Sequence, residues 1–231
     1  MKKLAYCDHA VNYTGFRPKG DPMDPISPVF EKHYRDYLQR LKSLDFDSLS
    51  WKLGGQVHKS SQGKVITLSF FGRFYEISPQ GIRNRAGQKP GYDICIILCR
   101  YLLMCPQILP HDRQWVNFRD LKDSGPLTVY FRNNVEEAIA ARFEKKLPEL
   151  QHSLAAMDGY APDLNVRYDL AMQVDALPKI PLLVLFNDAD EGFPAECSLL
   201  FEGHVETFLD AECIAMVGSR LFARLKHGGE E

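Results

Sequence analysis

Residues 177–202, LPKIPLLVLFNDADEGFPAECSLLFE, set two apolar runs on either side of an acidic turn that contains a glycine and a phenylalanine. Short apolar runs bounded by turn residues read as buried strands, here near residues 182–186 and 197–201. A second stretch makes the same demand. DICIILCRYLLMC, residues 93–105, is apolar almost all round, which fits a helix buried in the core and ended by Pro106.

Other segments supply the covering layers. VITLSF and FYEIS, separated by Gly72-Arg73, have the composition of an antiparallel hairpin, and Gly63 closes an earlier one with GQVHK. The hairpin at residues 65–78 is expected in the same sheet as 182–201. Ser27-Pro28 gives an N-cap with proline at the first helical position, and Phe30, Tyr34, Leu38 and Leu41 recur at helical spacing to about residue 44. A shorter helix starts at Asp45 or Asp47, buries Leu49, Trp51 and Leu53, and stops at Gly54-Gly55.

QWVNFRDL reads as a short strand running into a turn and LTVYF as another strand, after which Asn133 or Asn134 caps a helix with stripe Val135, Ile139, Phe143 and Leu147. Pro148 ends or kinks that helix, and Leu150 and Leu154 continue its buried face. A further strand lies near residues 166–174, and a closing helix at 210–225 ends before Gly228-Gly229. Hairpins and helices are partly segregated, so the expected class is α+β. Residues 28–231 form one domain with an antiparallel or mixed sheet and about five to six helices. Residues 1–27, rich in glycine and proline, form an extended arm, with Tyr6, Tyr13 and Phe16 to lay it on the body.

Composition narrows the function. The 28 basic and 30 acidic residues are interspersed, leaving no basic patch for a phosphate backbone, so nucleic acid is excluded as a main partner. No stretch reaches the ~20 apolar residues that span a bilayer, and MKKLAYCDHAVNY lacks a signal-peptide core, so a cytoplasmic protein is expected. Its six cysteines show no compact framework and should stay reduced.

FFGRFYEIS, CRYLL, QWVNFRDL and above all LPKIPLLVLFNDADEGFPAECSLLFE resemble, in order over residues 30–225, a prokaryotic family known as a domain of unknown function, number 3786 among such domains. The resemblance implies a single soluble domain found mainly in anaerobic bacteria and archaea, joined in some relatives to a cysteine-rich iron–sulfur module. It implies a setting in redox or one-carbon metabolism, near corrinoid or other metal cofactors. Gly192 departs from the family's commonest form, where a second glutamate often follows the acidic pair, and Glu202 stands where aspartate is usual.

Several groups carry candidate chemistry. Asp188, Asp190 and Glu191 in the acidic turn could gather around a divalent cation, although Ala189 and Ser198 fall where an EF-hand needs ligands. The plainer reading is a solvated turn with Phe193 plugging the core. His111 and Trp115 offer an imidazole and a flat indole to a planar cofactor such as a corrinoid or tetrapyrrole, and His204 is a second imidazole. Against that stand a surface-loop His111 and a core-anchoring Trp115.

Cys95, Cys99 and Cys105 sit on a rigid apolar helix, a poor cradle for iron–sulfur, and Cys7-x-His9 supplies only part of a zinc set. No nucleophile elbow, P-loop or dinucleotide fingerprint is present, which removes most large enzyme classes. A non-catalytic binding or accessory protein is therefore expected, holding a small-molecule cofactor or a partner protein, in a cleft near Trp115, Phe193 and the turn at 188–193. A metal-dependent enzyme built on Asp188, Asp190 and Glu191, and a purely structural interaction domain, are the alternatives.

Overall fold

Helices α1 (Pro28–Leu41) and α2 (Phe46–Leu53) open the chain, which the computed structural model describes for residues 28–61, 63–110, 113–164 and 167–227. The arm at 1–27 with Cys7 and His9, the candidate His111 and the Gly228-Gly229 stop lie outside the described residues. Asp45 starts α2, its side chain accepting from the Asp47 N–H at 3.2 Å, and Gly54 ends it at φ +73°. Leu49 and Leu53 are buried as expected, but Trp51 is 80% exposed. Phe46 takes the third buried position, because residues 46, 49 and 53 share one helical face and 51 lies on the other.

The chain then forms a meander of β1 (Gln56–Ser60), β2 (Gly63–Phe70), β3 (Arg73–Ser78) and β4 (Gly81–Asn84), paired antiparallel in that order. The β2–β3 turn falls one residue earlier than expected: Phe71 and Gly72 form it, at φ 47° and 75°, and Arg73 pairs with Phe70. Positive φ at both positions gives a primed turn whose twist matches the strands. Left-handed backbone costs a bulky residue about 1–2 kcal/mol, and full burial of the Phe71 ring offsets that.

Helix α3 (Tyr92–Leu103) is buried as its composition requires, and the Tyr101 hydroxyl donates to the Leu53 carbonyl at 3.2 Å while accepting from the Lys179 N–H at 3.1 Å. Strand β5 (Trp115–Asn117) follows and runs into a 3₁₀ turn, as QWVNFRDL predicts. LTVYF is not a strand. It lies at the start of a continuous helix made of α4 (Thr128–Phe131), a π-helical turn at Arg132–Glu136 and α5 (Glu137–Phe143), with Asn133 and Asn134 inside the run rather than capping it. Phe131, Val135, Ile139 and Phe143 are all buried at four-residue spacing, and this stripe overrides the local β propensity. A fresh helix, α6 (Leu147–Ala155), starts with Pro148 in its first turn.

The remaining strands are β6 (Leu170–Leu177), β7 (Ile180–Asn187) and β8 (Glu196–Glu202), and they join β5 in a second antiparallel sheet of order β5-β8-β7-β6. The chain closes with α7 (Ala211–Lys226), capped by the Asp210 side chain, which accepts from the Cys213 N–H at 2.9 Å. The hairpin at residues 65–78 is thus in a different sheet from 182–201, contrary to expectation. One reason is local: the outer edge of β6 is taken by Tyr160, which exchanges two backbone hydrogen bonds with Gln173.

The two sheets still share one core, which draws on both sheets and on the helices from α1 to α7. Strand β2 packs on β6, and the Phe71 N–H donates to the Ala176 carbonyl at 2.9 Å, joining the sheets directly. The architecture is α+β, and counting α4–α5 as one unit gives six α-helices among the described residues. No helix among them is long and apolar enough to cross a membrane.

Candidate functional site

Strand β5 stops early. After Asn117 the chain leaves the sheet, and Phe118 stacks on Phe131 with ring centroids 4.2 Å apart and planes within 10° of parallel. Pairing with β5 therefore covers residues 200–202 of β8, and, among the described residues, 196–199 are paired with β7 alone. Opposite this half-paired stretch runs the π-helical turn and α5. A cleft of about 780 Å³ lies between them, within the usual range for ligand sites.

The π turn sets the chemistry of the far wall. Such turns pack an extra residue into a helix and recur at functional sites. Here the turn brings Glu136 to the strand, where its Oε1 accepts from the Leu199 N–H at 3.0 Å. Burial raises the Glu136 pKa, opposed by that N–H and by the charges of Arg119 and Arg132. Cys197 lines the same cleft; burial, and then the Glu136 carboxylate, push its thiol far up, so it is no ready nucleophile. Four carboxylates (Glu136, Glu137, Glu144, Glu196) and two guanidiniums (Arg119, Arg132) line the cleft, making it acidic. The Arg132 Nε already donates to Glu137 at 2.9 Å, and the Arg119 Nε lies 3.8 Å from Asp120.

The residues singled out from sequence fall around this cleft rather than in it. Trp115 is half-buried on β5 opposite Glu202, two residues before the lining residue Asn117. His204 is occupied by the protein itself: its Nδ1 lies 3.3 Å from Glu202 Oε2, its Nε2 lies 3.3 Å from the Lys179 carbonyl, and its ring meets Phe208 edge-on. Both nitrogens face acceptors, an arrangement that fixes the ring within the fold. Phe193 is 75% exposed and does not plug the core, because the turn at Asp190–Phe193 carries it past the ends of the strands. Its neighbour Pro194 lines the cleft.

In the acidic turn, Asp188 and Asp190 accept from separate backbone N–H groups. The Asp188 Oδ1 accepts from the Lys145 N–H at 2.7 Å and the Ala189 N–H at 2.8 Å, while Asp190 Oδ1 accepts from the Glu191 N–H at 2.7 Å. No group of three or more His, Cys, Asp or Glu side chains that could hold a metal ion occurs among the described residues. Cys95 and Cys99 are fully buried, and burial pushes the Cys95 thiol up to about 12.

The family described as Domain of unknown function (DUF3786) matches residues 45–224. The chain belongs to that family. The DUF3786 match runs from the N-cap of α2 to the last turns of α7, so it takes in both sheets and the whole cleft and leaves out α1. No curated protein and no solved structure matches the chain.

Sequence reasoning missed Glu136, Arg132 and Arg119. For Arg132 a signal was present: Phe131 precedes Val135 by one helical repeat, which extends the apolar stripe and its helix back through LTVYF, whereas Glu136 already lay in the helix expected after Asn133 or Asn134. The extra residue of the π turn has no such signature.

Proposed function

We propose that this DUF3786 chain is a non-catalytic binding or accessory protein whose cleft receives a segment of a partner protein. The observation that carries the reading is the half-paired strand β8 facing an open, acidic cleft. An open groove with polar walls suits a polypeptide better than a drug-like molecule, which favours a mostly apolar enclosure. The anaerobic redox or one-carbon setting implied by the sequence resemblance, and a cytoplasmic location, belong to the same proposal.

A corrinoid or tetrapyrrole is the second reading, supported by the size of the cleft. Its described lining includes no histidine or methionine to serve as an axial ligand, and His204 is held elsewhere. The metal-enzyme reading at Asp188, Asp190 and Glu191 has less support, since Asp188 and Asp190 already serve backbone N–H groups.

Ala141 is exposed on α5 and lines the cleft, so Ala141→Trp blocks it without entering the core. Crosslinking in cells of origin with the native chain and with this variant tests the proposal. A specific partner captured by the first and lost by the second supports it. A purified protein carrying Soret or corrinoid absorbance that Ala141→Trp abolishes replaces it with the cofactor reading.

A further inference from the structure

We propose that the cleft takes an extended, basic peptide segment, which adds as a strand to the edge of β8 that pairs with no strand among the described residues. This rests on the protein-binding reading above and specifies how the partner is held. The argument begins with backbone direction. In an antiparallel sheet, successive residues point their N–H and C=O groups to opposite neighbours. The Leu199 N–H points away from β7, since it donates to Glu136 Oε1 at 3.0 Å, and the peptide groups of Cys197, two residues back, point the same way. Cys197 and Leu199 therefore present backbone donors and acceptors on the side where a further strand would pair, while Glu196 and Ser198 turn theirs to β7.

Glu136 occupies part of that position now. Its carboxylate oxygen stands on the Leu199 N–H as a neighbouring strand's carbonyl would, which keeps a buried donor satisfied. An incoming strand can supply the same acceptor and release Glu136 to the rim.

The facing wall decides the peptide's chemistry. Glu137, Ala140 and Ala141 of α5 and its C-cap residue Glu144 line the cleft, so two small residues leave room between two carboxylates. With Glu196 on the strand side, acidic groups outnumber the cleft's arginines, and both arginines already lie beside carboxylates. A strand laid between a sheet edge and a helix gains affinity from its main chain and selectivity from alternate side chains. Lysine or arginine at those alternate positions complements Glu137 and Glu144.

The test uses fluorescence anisotropy with a dye-labelled, acetylated peptide alternating valine and lysine, beside a valine–glutamate peptide of equal length. A third peptide is the lysine form N-methylated at alternate amides, prepared in both phases. The lysine peptide should bind saturably and lose affinity with added salt, and Ala141→Trp should abolish binding. Methylation in one phase should weaken it about tenfold, as expected for one or two lost main-chain hydrogen bonds, and in the other phase much less. Glu144→Lys, at an exposed position, should shift preference toward the glutamate peptide.

Equal binding of both methylated forms, still blocked by Ala141→Trp, overturns strand addition and leaves the cleft as a protein-binding site. Equal affinity for the glutamate peptide overturns the basic preference. Failure of every peptide overturns the inference itself, while partner capture decides the broader reading separately.

Discussion

Glu136 is a carboxyl group kept part-way out of water by its own fold, and that makes it a source of pH dependence. Burial raises its pKa above the ordinary 4.5, so over the window from 4.5 up through its folded value the native chain holds a proton that the unfolded chain has lost. Its contribution to stability therefore falls as pH rises across that window. Glu136→Gln keeps an acceptor for the Leu199 N–H without the charge. Denaturant midpoints should show the variant at least as stable as the native chain at neutral pH and with a flatter pH profile; a steeper profile would contradict the assignment. Asp175 and Glu212 are raised by burial too, so some slope should persist. Gly218 acts through volume instead. A Cβ there would lie 2.4 Å from Phe131 Cε2, and that ring is stacked on Phe118 at the base of the cleft. Gly218→Ala gains helix propensity of roughly 1 kcal/mol but overpacks a ring that cannot retreat, so a net loss of about 1–2 kcal/mol is expected in urea unfolding.

At the scale of elements, the acidic turn is a brace as well as a solvated loop. Asp188 holds the Lys145 N–H in the α5–α6 connection, where Lys145 sits at φ 57°. Asp188→Ala should cost about 1 kcal/mol, whereas Glu191→Gln, on an exposed side chain, should stay within about 0.5 kcal/mol in the same melts. Most elements were legible in the sequence because their periods were clean. The apolar α3 and the closing helix α7 followed from spacing, and so did the β2–β3 hairpin, although its turn sits at Phe71-Gly72 rather than at Gly72-Arg73. The site was less legible. Trp115 and the turn at 188–193 lie beside it, but the cleft itself depends on where β5 stops, with Phe118 turning in to stack on the distant Phe131, and on the π turn, and neither has a local sequence signature. The two-sheet arrangement escaped for a similar reason: strand composition says what pairs, and only tertiary packing says which edge is already taken.

For the whole molecule, a shared core predicts one cooperative unfolding transition despite two separate sheets. Thiol labelling offers a check on this. Cys95, Cys99 and Cys213 are buried, with pKa values raised by burial, and should react only as the chain unfolds; half-exposed Cys105 should react sooner. Rapid native labelling of Cys95 and Cys99 would mean a loose core. The Phe71 amide carries the same logic further. Amides at hairpin tips ordinarily trade their protons with solvent during small local openings, long before the core lets go. This one is donated across to Ala176 in the other sheet, so it is freed only when the sheets part. Its exchange rate should match that of core amides such as Ile97 and Val184, turning one turn residue into a gauge of the free energy that holds the two halves of the fold together.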